Sequence, residues 1–310
     1  MKKGLDLYVT KNESLTSTIG NHNNISFKNS KIHMFNSKLE NLLQSALLFA
    51  RKYASEIGES VLISEHDYQG FIVEQRKQFE QNFNRNKFII CANLKADALE
   101  NCVDTREVMG WASDISVEDY FRKVHPDYLS PYLNWSMAVY ALSIELRGKL
   151  SSFGQVYQIQ IPIQHENGKY YWCIMQGFPI RFDKDLNMTV NCNIYQRMEE
   201  MNPFNHRLFQ PFLIERLEIV EDWNTRLAAK MKAFVTDPLN INELKTIKLV
   251  LSGKTTAEIA LEMKVSKNTI MSYKKNILKR GHDIGGKIFS NAIEVGEYFN
   301  SLGWIKINDI

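Results

Sequence analysis

The stretch TTAEIALEMKVSKNTIMSYKKNIL, residues 255–278, constrains the fold more than any other part of the chain. Thr255 can cap a helix, and Glu258, three residues on, completes a capping box. Ile259, Ala260 and Met263 give that helix one apolar face. Lys264-Val265-Ser266 breaks the pattern, and Ser266 can cap the next helix. Val265 before that cap and Ile270 at the fourth helical position make a hydrophobic staple. Ile270 and Ile277 point inward, with Met271, Ser272, Lys274 and Lys275 between them. The spacing predicts two short helices, a tight turn between them, and a basic outer face on the second. A helical hairpin with a solvated lysine face fits that spacing, and so does a module that presents side chains to a DNA major groove.

The residues upstream favour the second. From Leu239 the chain reads LNINELKTIKLVLSGKTTAEIALEMKVSKNTIMSYKKNILKR. This resembles the LuxR-type helix-turn-helix domain without a gap, at Leu239, Glu243, Ile247, Gly253, Glu258, Ile259, Ala260, Val265, Ser266, Thr269, Ile270, Asn276 and Ile277. Asn242 stands where the family usually has arginine, Met271 where lysine is common, and Tyr273 for histidine. After Lys279 the usual Leu-Gly pair is replaced by Gly281-His282. These departures bear on base preference more than on fold. The resemblance implies double-stranded DNA as partner and a recognition helix from Lys267 to Lys279. It puts Met271, Ser272 and Lys275 at base-facing positions and Lys267, Thr269 and Lys279 near phosphates; Lys274, on the same basic helix, completes the candidate set. It also implies that the last helix, Asn291–Leu302, packs beneath the recognition pair and forms a dimer contact.

Charge distribution agrees with a polyanion held at one end. The net charge of the 310 residues is only +3. Between Leu239 and Gly281 there are nine Lys/Arg and three Glu, 9 − 3 = +6, which leaves 3 − 6 = −3 for the rest. A basic module on a mildly acidic body follows. With 44% hydrophobic and 24% charged residues, the composition is that of a soluble globular protein with room for more than one core. Cys91, Cys102, Cys173 and Cys192 are widely spaced, without C-x-x-C or metal-ligand spacing to a histidine, and read as buried free thiols. No metal site is expected. Lys2-Lys3 is not followed by an apolar core, and no run approaches the roughly 18 apolar residues of a membrane span. A cytoplasmic protein is expected.

The remaining chain divides by periodicity. Residues 1–36 are polar and read as loosely ordered. In 37–84 a helix capped by Ser37 and Glu40, with a stripe at Leu39, Leu42, Leu43, Ala46, Leu47 and Ala50, ends at Gly58. A second helix is placed at 65–83. Residues 85–200 start with strand signals at Phe88–Ala92 and Ala98–Val103. Short helices near Arg106–Gly110 and Val117–Val124 follow, the latter ending at His125-Pro126. A longer helix from about Pro131 to Leu146 comes next. Three strands, the first and third alternating and the middle one (Tyr170–Gln176) continuously apolar and aromatic, with Asn167-Gly168 as a two-residue hairpin turn and a turn at Asp183–Asn187, predict an antiparallel meander with one wet face. This order, with Met109-Gly110-Trp111, His125-Pro126-Asp127 and Trp172, resembles a PAS domain. That resemblance implies a sensor that holds a small molecule or binds a protein. No residue identifies a haem or flavin ligand, so the cofactor stays unknown; His125 and the cluster Tyr170, Tyr171, Trp172 read as structural.

Residues 201–237 are expected to form a long linker helix. Leu217, Asn224 and Met231 fall at heptad position a, and Leu213, Val220, Leu227 and Phe234 at d. Leu213, Leu217, Val220, Asn224, Leu227 and Met231 are the candidate dimerisation set, since a buried Asn at a fixes a parallel two-stranded register. Burial of the same face against the sensor domain fits equally. Asp237-Pro238 ends the helix and opens the DNA-binding domain at 238–310.

The expected fold class is α+β: a PAS-like antiparallel sheet domain with amino-terminal helices, a long linker helix and an all-α LuxR-type domain. The expected function is a homodimeric transcription regulator; a signalling scaffold with a degenerate DNA-binding domain is the alternative. Neither a nucleophile beside a base nor a phosphate loop is present to suggest an enzyme. A phosphoryl-accepting receiver would need early acidic residues after a strand, which the polar start lacks. The aromatic and Asp pattern of acyl-homoserine-lactone sensors is not evident.

Overall fold

The computed structural model describes residues 22–56, 60–61, 69–74, 77, 86–96, 98–112, 114–150, 156–202, 204–210, 212–215, 223–235, 239–286, 288–302 and 304–305. The chain divides into two compact units, residues 1–38 and 39–310. Helix α1, His22–Glu56, starts earlier than expected, so Ser37 lies inside it instead of capping it. Residues 1–21, and most of the second helix placed at 65–83, lie outside the described residues; 69–74 are helical.

Within residues 39–310 the centre is a seven-stranded antiparallel sheet. Its strands are β1 (Ser60–Val61), β2 (Lys87–Asn93), β3 (Ala98–Val103), β4 (Val156–Gln164), β5 (Tyr170–Asp183), β6 (Met188–Glu200) and β7 (Phe212–Glu215). The order is β3-β2-β6-β5-β4-β7, with β1 paired to β5. Between β3 and β4 run helices α2 (Thr105–Met109), α3 (Val117–Lys123) and α4 (Pro126–Glu145). This is the PAS-like arrangement: two strands, short helices, a long helix, then a three-stranded meander. The Met109-Gly110-Trp111 turn docks on the β4–β5 connection, where Trp111 Nε1 donates to Gln164 O at 3.0 Å and Glu166 N to Met109 O at 3.0 Å.

Helix α4 packs on one face of the sheet. Tyr128, Leu133, Ile161, Ile163, Trp172 and Tyr195 are fully buried there, and Leu42, Leu43, Ala46 and Leu47 of α1 join the same core. The other face is not wet as expected. Ile89, Cys91, Ile180, Val190 and Cys192 are fully buried, in a cluster that Ile72 of the helical stretch 69–74 completes.

Two local expectations change for identifiable reasons. The long helix begins at Pro126, not Pro131: His125 Nδ1 accepts from Asp127 N at 3.2 Å and caps it, with Pro126 in the first turn, where proline has no N–H to waste. His125-Pro126 therefore opens one helix more than it closes another. The β4–β5 turn is a three-residue loop, since His165 N donates to Lys169 O and Gly168 N to His165 O, both at 2.9 Å. Only Gly168 takes positive φ (82°), as a bulged hairpin needs, whereas the two-residue form would need it at Asn167 as well. The Asp183–Asn187 turn forms as expected, with Asp183 Oδ1 accepting from the backbone N–H groups of Asp185 and Asn187.

The long linker helix is replaced by three pieces. Residues 204–210 are irregular, Phe212–Glu215 pair with the otherwise open edge of β4, and among the described residues of the segment only Trp223–Phe234 are helical (α5). An unpaired strand edge favours a partner strand over an isolated helical turn. Leu213 sits in β7, opposite Tyr157; Leu217 and Val220 lie outside the described residues. Leu227 and Met231, both 1% exposed, pack with α4 in the sensor core, while Asn224 is exposed. Of the heptad positions, Leu227 and Met231 are thus buried within the chain.

The last module has its own core. Helices α6 (Ile241–Leu251), α7 (Thr256–Glu262), α8 (Lys267–Gly285) and α9 (Ala292–Ser301) enclose Ile247, Ile259, Ile270, Ile277 and Val295, each fully buried. Trp304 packs against this core and against the sensor's, and its Nε1 donates to Ala228 O of α5 at 2.8 Å.

Candidate nucleic-acid interface

The helix-turn-helix is held by the local devices expected of it. Thr255 caps α7: Glu258 N donates to its Oγ1 at 3.3 Å, and Thr255 N donates to Glu258 Oε2 at 2.7 Å. The bond from the Thr255 backbone is the main reason the Glu258 carboxyl is held below its usual range. Ser266 caps α8 by accepting from Thr269 N at 3.0 Å. Ile270 and Ile277 are fully buried and Val265 packs against the same core. A second capping box, Asn240 with Glu243, starts α6.

At about 100° per residue, the candidate side chains separate around α8. Lys267, Met271, Ser272, Lys275 and Lys279 are all exposed and fall within one arc of less than half the circumference. Ile270, Ile277 and Ile284 occupy the opposite side. Asn268 lies within the same arc and Asn276 just beyond its edge, both exposed; drawing the helix periodicity would have found them. Two candidates sit at its margins. Thr269 is half-buried, its hydroxyl 2.8 Å from that of Ser266, and the Lys274 ammonium donates to Thr256 Oγ1 at 2.9 Å.

Pairing sorts the basic residues of the module. Arg280 Nη1 is 2.8 Å from Oε1 of Glu243, whose side chain is fully buried, while Oε2 of that carboxylate accepts from Asn240 N. Lys254 is paired with Glu262. Of the nine Lys/Arg and three Glu, two pairs cancel, so the +6 rests on seven lysines less Glu258 (7 − 1). Four of the seven are on α8. Lys245, Lys248 and Lys264 line a separate open groove of about 430 Å³.

In the sensor, a small cavity of about 50 Å³ lies between sheet and helices, with Tyr120, Tyr132, Trp135, Tyr157 and Met175 in its wall. The Tyr120 hydroxyl lies 2.8 Å from that of Tyr132 and 2.6 Å from that of Tyr195. Burial pushes the Tyr132 hydroxyl up to about 12 and holds those of Tyr120 and Tyr195 well above their ordinary value, so all three are protonated at neutral pH. Trp135 Nε1 is buried without a hydrogen-bond partner among the described residues. Trp172 is core, edge-on to Tyr128 at 5.2 Å, and Tyr170 and Tyr171 are half-buried outside the cavity wall. Cys91, Cys173 and Cys192 are buried and Cys102 half-buried, without a disulfide between them. No group of three or more metal-ligating side chains occurs among the described residues.

A PAS-like sheet domain thus carries a capped helix-turn-helix whose exposed face is basic. Residues 237–280 match the family model described as bacterial regulatory proteins, luxR family, and the carboxyl-terminal module is a LuxR-type helix-turn-helix domain. No curated protein matches the chain at a significant level. Among solved structures, the chain is similar to the amino-terminal domain of a diguanylate cyclase with PAS/PAC sensor from Marinobacter aquaeolei. The identity is 18%, over 36% of this chain and 94% of that one, with a TM-score of 0.29. It is also similar to VqmA of Vibrio cholera in a ligand–DNA complex, at 16% identity, 76% and 91% coverage and a TM-score of 0.25. Escherichia coli SdiA is matched at 13% identity, 76% and 91% coverage and a TM-score of 0.19. Likeness at these scores carries no weight for function. No helix among the described residues is long and apolar enough to cross a membrane.

Proposed function

We propose that the protein is a transcription regulator that binds double-stranded DNA as a homodimer through α8, acts in the cytoplasm, and responds to a ligand of its PAS-like domain. The observation that carries this is the open arc of α8. Three exposed lysines flank Met271 and Ser272 there, on a helix whose caps and buried side are complete without them. Lys275, Ser272 and Met271 face bases; Lys267 and Lys279 neutralise phosphates. Lys274 and Thr269 contribute mainly by orienting the helix, through Thr256 and Ser266. We assign the protein no catalytic step.

For dimerisation, burial of Leu227 and Met231 favours a surface on the LuxR-type domain over the heptad face. Ile288, before α9, and Ile293, in its first turn, are 74% and 47% exposed. In the sensor, the unpartnered Trp135 donor gives a small occupant with an acceptor something to hold.

One observation favours the scaffold reading: Met271, 61% exposed, puts a thioether in the middle of the reading face. Selection from a random duplex library by the full chain separates the two. A DNA-binding regulator enriches a defined sequence, with half-sites about one helical turn apart if it is dimeric, and Lys275→Ala relaxes that selectivity. Enrichment no better than from the Lys267→Ala/Lys275→Ala chain would favour the scaffold.

A further inference from the structure

The carboxyl-terminal end of the recognition helix is seated on the sensor. Gly286, the C-cap of α8, is left-handed (φ 69°), and a Cβ there would lie 2.7 Å from Cδ1 of Tyr128. Gly285 O accepts from Phe209 N at 3.0 Å, and Phe209 O accepts from the Tyr298 hydroxyl at 2.8 Å. His282 Nε2 is 3.8 Å from Asp127 Oδ1. Tyr128 itself is fully buried, edge-on to Trp172, and its hydroxyl donates to Arg207 O. These contacts cluster where the chain departs from the LuxR-type pattern. Gly281 belongs to the same end: a Cβ on it would lie 2.6 Å from Val295 Cγ2.

Tyr128 is in the first turn of α4, the helix that also walls the sensor cavity. Tyr132, Trp135 and Val139 follow it at i+4, i+7 and i+11, on one face. From Tyr128 to Trp135 is about 10 Å along a single helix, at about 1.5 Å per residue. A close-packed helix moves as a body, so a change of packing at the cavity is felt at its first turn.

We propose that Tyr128 is a positioning residue for the recognition helix, and that the sensor acts on DNA binding through the Tyr128–Gly286 seat and not through a coiled-coil linker. This rests on the regulator reading and adds the route by which the sensor sets the reading face. The seat holds α8 by its far end, leaving the arc from Lys267 to Lys279 open. A shift of α4 moves that end and re-aims the arc relative to a second copy's.

The test uses the full chain, as wild type and as Tyr128→Leu, Tyr128→Phe, Gly286→Ala and the Tyr128→Leu/Gly286→Ala double variant. Affinity for a library-selected duplex is measured by anisotropy, and amide exchange is followed in β5 and β6 as a check on the sensor's fold. Tyr128→Leu and Gly286→Ala are each expected to change duplex affinity about fivefold or more, the low end of allosteric coupling. The sheet amides should stay protected, and Tyr128→Phe, which keeps the ring against Gly286, should restore affinity. The double variant should fall short of the sum, because both changes act on one contact. Unchanged affinity in well-folded variants, or strictly additive effects, overturns the proposal. Should Tyr128→Leu fail to fold, Gly286→Ala against Tyr128→Phe decides it. A wild-type chain that binds no duplex would instead refute the regulator reading, a result distinct from wild-type binding that the variants leave intact.

Discussion

The salt dependence of duplex binding can be worked from the reading face. Each phosphate neutralised by a lysine contributes about 0.9 to the slope of log affinity against log salt. Lys267, Lys275 and Lys279 are the exposed lysines of α8, while the Lys274 ammonium is engaged by Thr256 at 2.9 Å. With Lys275 turned to the bases, the two phosphate contacts give a slope of about −1.8 per chain, and about −3.6 for a two-chain complex. A fourfold rise in salt, from about 50 to about 200 mM, should then weaken binding about twelvefold per chain. Lys267→Ala or Lys279→Ala should take about 0.9 off the slope per chain, on cognate and random duplex alike. Lys274→Ala should remove much less, because its ammonium is directed to the Thr256 hydroxyl at the margin of the exposed arc. Anisotropy titrations with fluorescent duplexes at four or five salt concentrations measure this directly. A Lys274→Ala slope falling as far as that of Lys267→Ala would refute the reasoning, and so would a wild-type slope near zero.

Other outcomes follow from packing and charge. Arg280→Ala strands the fully buried Glu243 carboxylate and should cost about 3 kcal/mol in urea unfolding; a loss under about 1 kcal/mol would mean that the carboxylate finds another partner. Leu227→Ala should destabilise the chain by about 2–4 kcal/mol without changing its oligomeric state, because that side chain fills the sensor core. Ile293→Asp should do the reverse, giving monomers of near-wild-type stability by sedimentation. Burial, above all, pushes the His125 imidazole down, with His206 adding to the effect and Asp127 opposing it. Its neutral form is therefore favoured on folding. That contribution is present above its unfolded value of about 6.5 and is lost as pH falls through the lower folded value. The thermal midpoint should drop between about pH 7 and about pH 5. His125→Asn, an uncharged cap, should flatten the drop, and an unchanged profile would remove His125 as its cause.

What the sequence determined lies mostly within one or two helical turns. Thr255 with Glu258 and Ser266 with Thr269 are contacts three residues apart, and the Ile270–Ile277 period marks the buried side of a helix wherever that helix lies. The helix-turn-helix and its exposed basic arc were therefore legible, as was the order of strands and helices in the sensor. Tertiary structure decided what depends on distant partners. Arg280 counts as a surface cation until Glu243, 37 residues away, is placed beside it. The heptad at 213–234 suits a coiled coil, but Leu213 meets an open strand edge and Leu227 an apolar helix face, and both contacts outweigh a lone helix. Gly281, Gly285 and Gly286 read as ordinary breaks in a family pattern. Only with Val295, Phe289, Tyr298 and Tyr128 packed against them do they mark a close seat for the end of α8, since the absence of a Cβ has meaning only against the group that would collide with it.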